Sequence, residues 1–286
     1  MNPPAPAQPV LELVAPGLLA SLQDQGRPGW RRFGVPASGA MDDHAAAEAN
    51  RLVGNATTAP VLELLLQGAR LRVLRDTILA VTGANADANV PLGARITVPA
   101  GGHIEFPRNR TGVWSYVAVA GGFVGVPLLG SVSAYPRGGI GRALAAGDVL
   151  CAAPSRGKPL PDSAAGIPRD HSVPPPLRVW PGPQWEAFPA ASRAACFARP
   201  WTVSSQSDRV GYRLAGEPLE PARLQLLSEP VLPGTIQVPE SGLPIVTMRD
   251  GPTVGGYPKL GVLDPADISW LAQCRPGQAV RFQLMA

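Results

Sequence analysis

Apolar and polar positions alternate in short bursts along this chain, and turn residues interrupt them every few positions. Residues 10–24, VLELVAPGLLASLQD, read as two strands joined at Pro16-Gly17. Residues 61–76, VLELLLQGARLRVLRD, hold two more, broken at Gln67-Gly68. The second of these, ARLRVL, keeps the period of two that a half-buried strand requires. TILAVTGA (77–84) and WSYVAVAGGF (114–123) are nearly continuous apolar runs of buried-strand type, and RITVPAGGHIEFP (95–107) reads as a hairpin around Gly101-Gly102. Later strands are expected in PLRVWPG, WTVSSQS, RLQLLS, GTIQVP, PIVTMR and AVRFQLM. The one clear helix signal is SGAMDDHAAAEANRLVGN, 38–55, where Asp42 or Asp43 can cap the start, alanines favour the interior and Gly54 can close the end. ADISWLAQ, 266–273, reads as a short helix or a turn.

Many short strands, frequent turns and one convincing helix predict a mostly β, barrel-type architecture. Composition agrees. The 32 glycines and 34 prolines punctuate apolar runs rather than forming a tract, and 45% hydrophobic residues in 286 allow a sizeable core. Residues 1–9 read as a disordered tail, 10–154 as an N-terminal β-barrel domain, 155–176 as a proline-rich linker or loop, and 177–286 as a C-terminal β-barrel domain.

Charge and cysteines exclude several classes. The net charge of +4 comes from arginines scattered along the chain, without the basic stripe and interleaved aromatics of a nucleic-acid binder. Cys151, Cys196 and Cys274 are too few and too far apart for a disulfide framework, which points to a reducing, cytoplasmic setting. Neither they nor His44, His103 and His171 have zinc-site spacing, so no metal ligand set is expected. No apolar run is long enough to span a membrane. No GxGxxG follows a strand into a helix, and no P-loop, nucleophile elbow or Ser/His/Asp order is present.

Three polar constellations remain. In SLQDQGRPGWRRFGVPASGAMDDH (21–44), Gln23, Asp24, Gln25, Arg27 and Arg31 surround glycines ahead of the predicted helix start, a reasonable seat for an oxyanion or phosphate. The plainer alternative is a polar turn in which Asp24 and Arg27 pair. In SSQSDRVGYRLAG (204–216), Asp208, Arg209, Tyr212 and Arg213 flank Gly211, either as an arginine clasp for an anion or as a solvent-facing hairpin. The third runs from Glu229, Gln237 and Glu240 into RDGPTVGGYPKLG (249–261), one acid and two bases on a turn hinged at Gly255-Gly256. Here Asp250 can serve as base, metal ligand or partner of Lys259, and Lys259 can neutralise developing negative charge; a surface salt bridge is the bland reading.

Together, SLQDQGRPGWRRFGVPASGAMD, SDRVGYRLAG and PGTIQVPESGLPIVTMRDGPTVGGYPKLG resemble, in order, the signature blocks of the biotin-dependent carboxyltransferase-like family, also called the allophanate hydrolase subunit 2 family. The likeness runs from about residue 10 to 284. It implies two cyclophilin-like β barrels with a few short helices. Two blocks depart from the family pattern. GSVSAYPRGGIGRAL (130–144) stands where members often carry a GSRST-like stretch, and in TGANADANV (82–90) Asn85 takes the place of an acid.

Among the family's activities, a standalone chain of this size is most similar to the C subunit of 5-oxoprolinase, an enzyme that opens 5-oxoproline to glutamate using ATP and also needs its A and B subunits. That resemblance implies the B subunit as direct partner, the A subunit as a further one, and ATP with Mg as cosubstrate handled with the partner. It further implies Asp24, Arg27, Asp250, Tyr257 and Lys259 as catalytic residues. Gln23, Ser38, Gly39, Met41, Asn85, Arg209, Tyr212, Gln237, Gly255 and Gly256 would bind substrate. Arg27 and Lys259 would hold anionic oxygens, Asp250 would orient Lys259 or bind Mg²⁺, and Tyr257 would hydrogen-bond substrate. On this reading the 249–261 turn forms one wall of a cleft, with the 21–42 loop and the arginines near 209–213 contributing. The family offers two alternatives. One is transfer of a carboxyl group from carboxybiotin to urea or a related amide, with biotin as cofactor. The other is non-catalytic sequestration of a kinase inhibitor homologous to the B subunit. The chain has no biotin-accepting motif of its own, so carboxybiotin would have to arrive on another protein.

Overall fold

A computed structural model describes residues 6–155, 168–224 and 226–285. The chain divides into two compact units. Unit 1 comprises Met1–Arg27 and Ser38–Asp170; unit 2 comprises Pro28–Ala37 and His171–Ala286. The short excursion of Pro28–Ala37 into unit 2 interrupts the stretch that the sequence reads as one N-terminal domain.

Unit 1 contains β1 (Gln8–Pro16), β2 (Ala20–Gln23), α1 (Asp43–Leu52), β3 (Val61–Leu65), β4 (Ala69–Val73), β5 (Thr77–Asn85), β6 (Arg95–Val98), β7 (His103–Glu105), β8 (Thr111–Val119), β9 (Phe123–Val124) and β10 (Val149–Ala152). They form two five-stranded sheets, ordered β7-β4-β1-β10-β9 and β2-β3-β8-β5-β6. Both sheets contribute to one core. Leu11, Leu13, Leu71, Val73 and Leu150 from the first pack with Leu62, Leu64, Leu79, Val117 and Val119 from the second. The alternation read in ARLRV is realised in β4, whose Ala69, Leu71 and Val73 are buried while Arg70 and Arg72 are exposed. At Pro16-Gly17 the chain turns tightly: a Cβ at Gly17, whose φ is +66°, would lie 2.6 Å from the Gln67 carbonyl oxygen.

Three expectations are corrected in this unit. The run 95–107 is not a hairpin, because β6 pairs with β5 in one sheet and β7 with β4 in the other. The Gly101-Gly102 turn instead carries the chain between sheets, with Gly101 N donating to Val73 O. The tail ends earlier than residue 9, since β1 begins at Gln8 and pairs with Ala152; residues 1–5 lie outside the described residues. Of the linker, 156–167 lie outside the described residues, and 168–176 contain no helix or strand.

Unit 2 contains β11 (Leu177–Pro181), α2 (Ala190–Ala198), β12 (Trp201–Val203), β13 (Gly211–Ala215), β14 (Glu229–Pro230), β15 (Thr235–Gln237), β16 (Ile245–Thr247), β17 (Val254–Gly255), β18 (Lys259–Leu263), α3 (Ile268–Ala272), β19 (Ala279–Val280) and β20 (Phe282–Leu284). Eight strands make one sheet ordered β19-β12-β13-β16-β15-β18-β11-β20, while β14 and β17 form a separate two-stranded ribbon. All its pairings are antiparallel except β11 with β20. The strand expected in RLQLLS does not form at its described positions: a leucine-rich run there lines a cleft instead of joining a ladder. The chain is thus mostly β, and the helix expected at 38–55 forms as α1, capped by the Asp42 carboxylate accepting from Ala45 N at 2.9 Å.

Candidate functional site

The residues named from sequence divide between the units. Gln23, Asp24, Arg27, Ser38, Gly39, Met41 and Asn85 belong to unit 1; Arg209, Tyr212, Gln237, Asp250, Gly255, Gly256, Tyr257 and Lys259 belong to unit 2.

In unit 1 the 24–27 loop is tied to the serines of GSVS. The Asp24 carboxylate accepts from Gly26 N at 2.7 Å, from the hydroxyls of Ser131 and Ser133 at 2.6 Å each, and from Val132 N at 2.9 Å. Ser133 Oγ also accepts from Asp24 N at 2.9 Å. Arg27 is fully buried and donates through Nη2 to the Ser133 carbonyl. Gln23, equally buried, donates to Ser21 Oγ at 3.0 Å and to Ala134 O at 3.1 Å. Asp24 and Arg27 therefore converge on one short segment, 131–134. The departure from the family pattern in the 130–144 block leaves intact the two serines that hold Asp24. Ser131 and Ser133 lie in the block that stands where the family often carries a GSRST-like stretch, but their pairing with Asp24 appears only on folding.

Opposite that segment, Ala40 N donates to Asp24 O at 3.0 Å. Ser38 and Gly39 both adopt positive φ, +55° and +92°. A Cβ at Gly39 would meet Gly26 N and the Gln25 carbonyl carbon at 3.0 Å, so the two loops can approach this closely only with glycine there. The start of α1 is held from below by Glu63, a buried acid that in sequence looks like an ordinary strand residue. Glu63 Oε2 accepts from Met41 N and from the Tyr116 hydroxyl, both at 2.8 Å, and the Tyr116 oxygen accepts from Asp42 N at 2.8 Å. Burial, then the neighbouring Glu63 and Asp42 carboxylates, hold the Tyr116 phenol well above its ordinary pKa, so it stays a protonated donor. Asn85, at the exposed end of β5, accepts from Asp87 N at 3.1 Å and caps its own turn.

In unit 2, Asp250 does not orient Lys259. It is clasped by Arg209, whose Nε and Nη2 donate to the two carboxylate oxygens at 2.7 and 3.1 Å, with both side chains largely buried. Backbone bonds from Asp250 N to Arg209 O and from Met248 N to Val210 O fix this pairing, at 2.8 and 3.0 Å. Lys259 pairs instead with Glu229. Gln184 bridges the two, donating to Glu229 Oε1 at 2.7 Å and accepting from Lys259 N at 3.1 Å. The Lys259 side chain is 3% exposed and that of Glu229 is 34% exposed, so the ammonium is buried behind a carboxylate that meets solvent. Hydrogen bonds from Lys259 and Gln184 draw the Glu229 pKa below the usual carboxylate value. Glu229 stands out in the sequence as a neighbour of the turn; Gln184, 75 positions before Lys259, carries no signal at all.

Gln237 lies beside this cluster and donates to Thr247 Oγ1 at 2.9 Å. It explains Gly255, where a Cβ would stand 2.9 Å from Gln237 Oε1 and 3.0 Å from Val231 Cγ2. Tyr212, expected to bind substrate, is buried and donates to Ala272 O at 2.7 Å, a packing role. Gly256 and the half-exposed Tyr257 line a cleft of about 970 Å³ with Glu240, Val238, Leu226 and Leu227. Arg31 reaches back to the ribbon: its Nη2 donates to Val231 O and, at 3.1 Å, to Pro252 O, the carbonyls flanking β14 and β17.

This fold is that of a carboxyltransferase-like domain. The crystal structure of TTHA0988 matches with a TM-score of 0.87 at 38% identity, covering 98% of this chain and 56% of that one. The Kluyveromyces lactis urea amidolyase structure matches with a TM-score of 0.84 at 28% identity, covering 99% of this chain and 19% of that one. The chain belongs to the family described as carboxyltransferase domain, subdomain A and B, whose profile matches residues 33–284. It is 39% identical over 285 residues to the C subunit of 5-oxoprolinase from Escherichia coli, covering 96% of this chain and 90% of that protein. It is also 39% identical over 278 residues to the Haemophilus influenzae C subunit of 5-oxoprolinase, covering 93% and 88%. Urea amidolyase of Lachancea kluyveri is 29% identical, covering 95% of this chain but 17% of that protein.

Proposed function

We propose that this chain is the C subunit of an ATP-dependent 5-oxoprolinase, which with its A and B subunits converts 5-oxo-L-proline, ATP and water to L-glutamate, ADP and phosphate in the cytoplasm. The observation that carries this reading is the 39% identity to the E. coli protein across nearly the full length of both chains. The urea-processing relatives are more distant and match this chain only as a segment of much longer proteins.

A lactam carbonyl is a poor electrophile, so a site that opens it needs groups that stabilise charge on the carbonyl oxygen and hold the substrate carboxylate. In this reading Lys259 supplies the cation in unit 2, kept in place by Glu229 and Gln184, and Tyr257 offers a hydroxyl at the cleft lip. In unit 1 the buried Arg27 donates to the Ser133 carbonyl and acts as a positioning residue for the 131–133 segment. Asp24 and Asp250 act as positioning residues, Asp24 on the 131–133 segment and Asp250 on Arg209. Asp250 and Glu229 do not fit Mg²⁺: both are neutralised by ion pairs, and among the described residues no three His, Cys, Asp or Glu side chains gather. In this reading ATP with Mg²⁺ is a cosubstrate handled together with the partner subunit.

The test is reconstitution. Purified together with the A and B subunits, the chain should support ATP-dependent glutamate release from 5-oxoproline, and omitting it should abolish the activity. No turnover from the full set, with an active E. coli trio run alongside, would reject the reading. Biotin binding with no effect of ATP would favour carboxyl transfer instead.

A further inference from the structure

Two ion pairs of unit 2 are built differently. Arg209 holds Asp250 with two donors on two oxygens, and both side chains are largely buried. Lys259 holds Glu229 through a single ammonium contact, and the acceptor side chain is 34% exposed. The sequence marks the same difference. Of the 25 basic residues 23 are arginine, and the two lysines are Lys158 and Lys259. A chain that uses arginine almost throughout places at 259 a compact point charge, which fixes a carboxylate less firmly than a two-pronged guanidinium does.

The two sides of the Lys259 pair also differ in how they are anchored. The donors stand on the eight-stranded sheet, where Lys259 pairs with Gln237 of β15. The loop after β11 lies hard against Lys259: Gly182 N donates to Leu260 O at 2.9 Å, and a Cβ at Gly182 would fall 2.3 Å from the Lys259 carbonyl oxygen. That contact sets Gln184, which accepts from Lys259 N at 3.1 Å and donates through Nε2 to Glu229 Oε1 at 2.7 Å. The acceptor stands on the β14–β17 ribbon instead. Glu229 opens β14, its ladder partner is Gly255, and residues 226–228 ahead of it form neither helix nor strand. A two-stranded ribbon is marginal on its own. The ammonium and the Gln184 amide are therefore a fixed pair of donors, and the carboxylate they share is the replaceable part.

We propose that Lys259 Nζ and Gln184 Nε2 form a carboxylate-binding site that Glu229 fills in the free chain, and that a carboxylate-bearing ligand enters by displacing Glu229 into solvent. Resting on the function proposed above, that ligand is 5-oxo-L-proline, held by its own carboxylate. Exchanging one carboxylate for another keeps the buried ammonium paired throughout, which avoids the high cost of an uncompensated buried charge. Glu229 also sets the affinity. A latch closed about nine-tenths of the time weakens the apparent affinity about tenfold.

The experiment titrates the full chain with sodium formate, acetamide and 5-oxo-L-proline at constant ionic strength, following heat and melting temperature. Glutamate release by the assembly with the A and B subunits is read in parallel. Glu229→Ala removes the internal carboxylate and should melt below wild type. Formate should recover part of that loss in Glu229→Ala and change nothing in wild type, while acetamide, which lacks the charge, should do nothing in either. 5-Oxo-L-proline should bind Glu229→Ala about tenfold more tightly than wild type. Glu229→Gln keeps the shape without the charge, should fall in between, and carries the same comparison if the alanine variant does not fold. Adding Lys259→Met to either variant should abolish both effects. Equal binding of formate and 5-oxo-L-proline by wild type and the Glu229 variants, or tighter binding that survives Lys259→Met, overturns the site; turnover by the wild-type assembly then leaves the functional reading standing. Formate recovery without 5-oxo-L-proline binding supports the site and counts against 5-oxo-L-proline as its ligand.

Discussion

Replacing Asp24 by alanine removes one acceptor from four donors at once. The two serine hydroxyls at 2.6 Å and the backbone N–H groups of Gly26 and Val132 at 2.7 and 2.9 Å would be left facing an apolar methyl group. Hydrogen bonds to a charged acceptor contribute about 1.5–3 kcal/mol each, but the hydroxyls can rotate to other acceptors and the site is partly open to water. Discounting for both gives a loss of about 3–5 kcal/mol for Asp24→Ala. Asp24→Asn keeps an oxygen toward the two serines and Gly26 and turns an amide N–H₂ toward the Val132 N–H, which costs about 1–3 kcal/mol. For a unit of this size each kcal/mol lowers the melting temperature by roughly 2–4 °C, so alanine should cost on the order of 6–20 °C. Urea unfolding and thermal melts followed by circular dichroism measure both variants. The decisive comparison is with activity in the reconstituted assembly: under the proposed reading, in which Asp24 positions the 131–133 segment, the folded fraction of Asp24→Asn should keep most of its turnover. Asp24→Ala within about 0.5 kcal/mol of wild type, the range of an ordinary surface substitution, or a folded Asp24→Asn with no activity, would refute the framework role.

Arg209→Ala should destabilise by about 3–5 kcal/mol in urea unfolding, because it strands the buried Asp250 carboxylate without its two-pronged partner. Gly255→Ala should destabilise by about 1–3 kcal/mol and lower turnover, since the added methyl displaces Gln237; unchanged melting would show that the ribbon gives way freely. The Glu229 carboxyl titrates below its ordinary value in the folded chain, so its contribution is present above about pH 4.5 and fades as pH falls toward the lowered value. The stability gap between wild type and Glu229→Gln should therefore close on acidification, and a gap that stays constant from neutral pH down through the carboxylate range would contradict the pairing. Burial pushes the thiols of Cys196 and Cys274 up to about 12, so iodoacetamide at mildly alkaline pH should label the half-buried Cys151 and spare both of them in the native chain.

Local pattern carries much of the fold. The period of two in ARLRV, the Pro16-Gly17 break and the alanine-rich run behind Asp42 are signals written within a few residues, and the strands and α1 follow them. The hairpin expected at 95–107 does not form because the same glycine turn can join two strands of one sheet or carry the chain between sheets, and only the partners of β6 and β7 decide. α2 escapes detection because prolines flank a short alanine-rich stretch that has no capping side chain. At the site, glycines and charged residues mark the right loops but not their bonds. Asp24 is held by serines 107 and 109 positions away, Asp250 by Arg209, 41 away, and Lys259 by Glu229, 30 away. Glu63 has the look of a strand's polar face, yet Tyr116, 53 positions later, covers it. Pairings over such separations leave no periodicity to read.

The most direct measurement is the stoichiometry of the reconstituted reaction. With the A and B subunits present, addition of this chain should release one glutamate and one phosphate for each 5-oxoproline consumed, and Lys259→Met should suppress both products together. Phosphate release without glutamate, or full glutamate release when this chain is left out, would contradict its place in the enzyme.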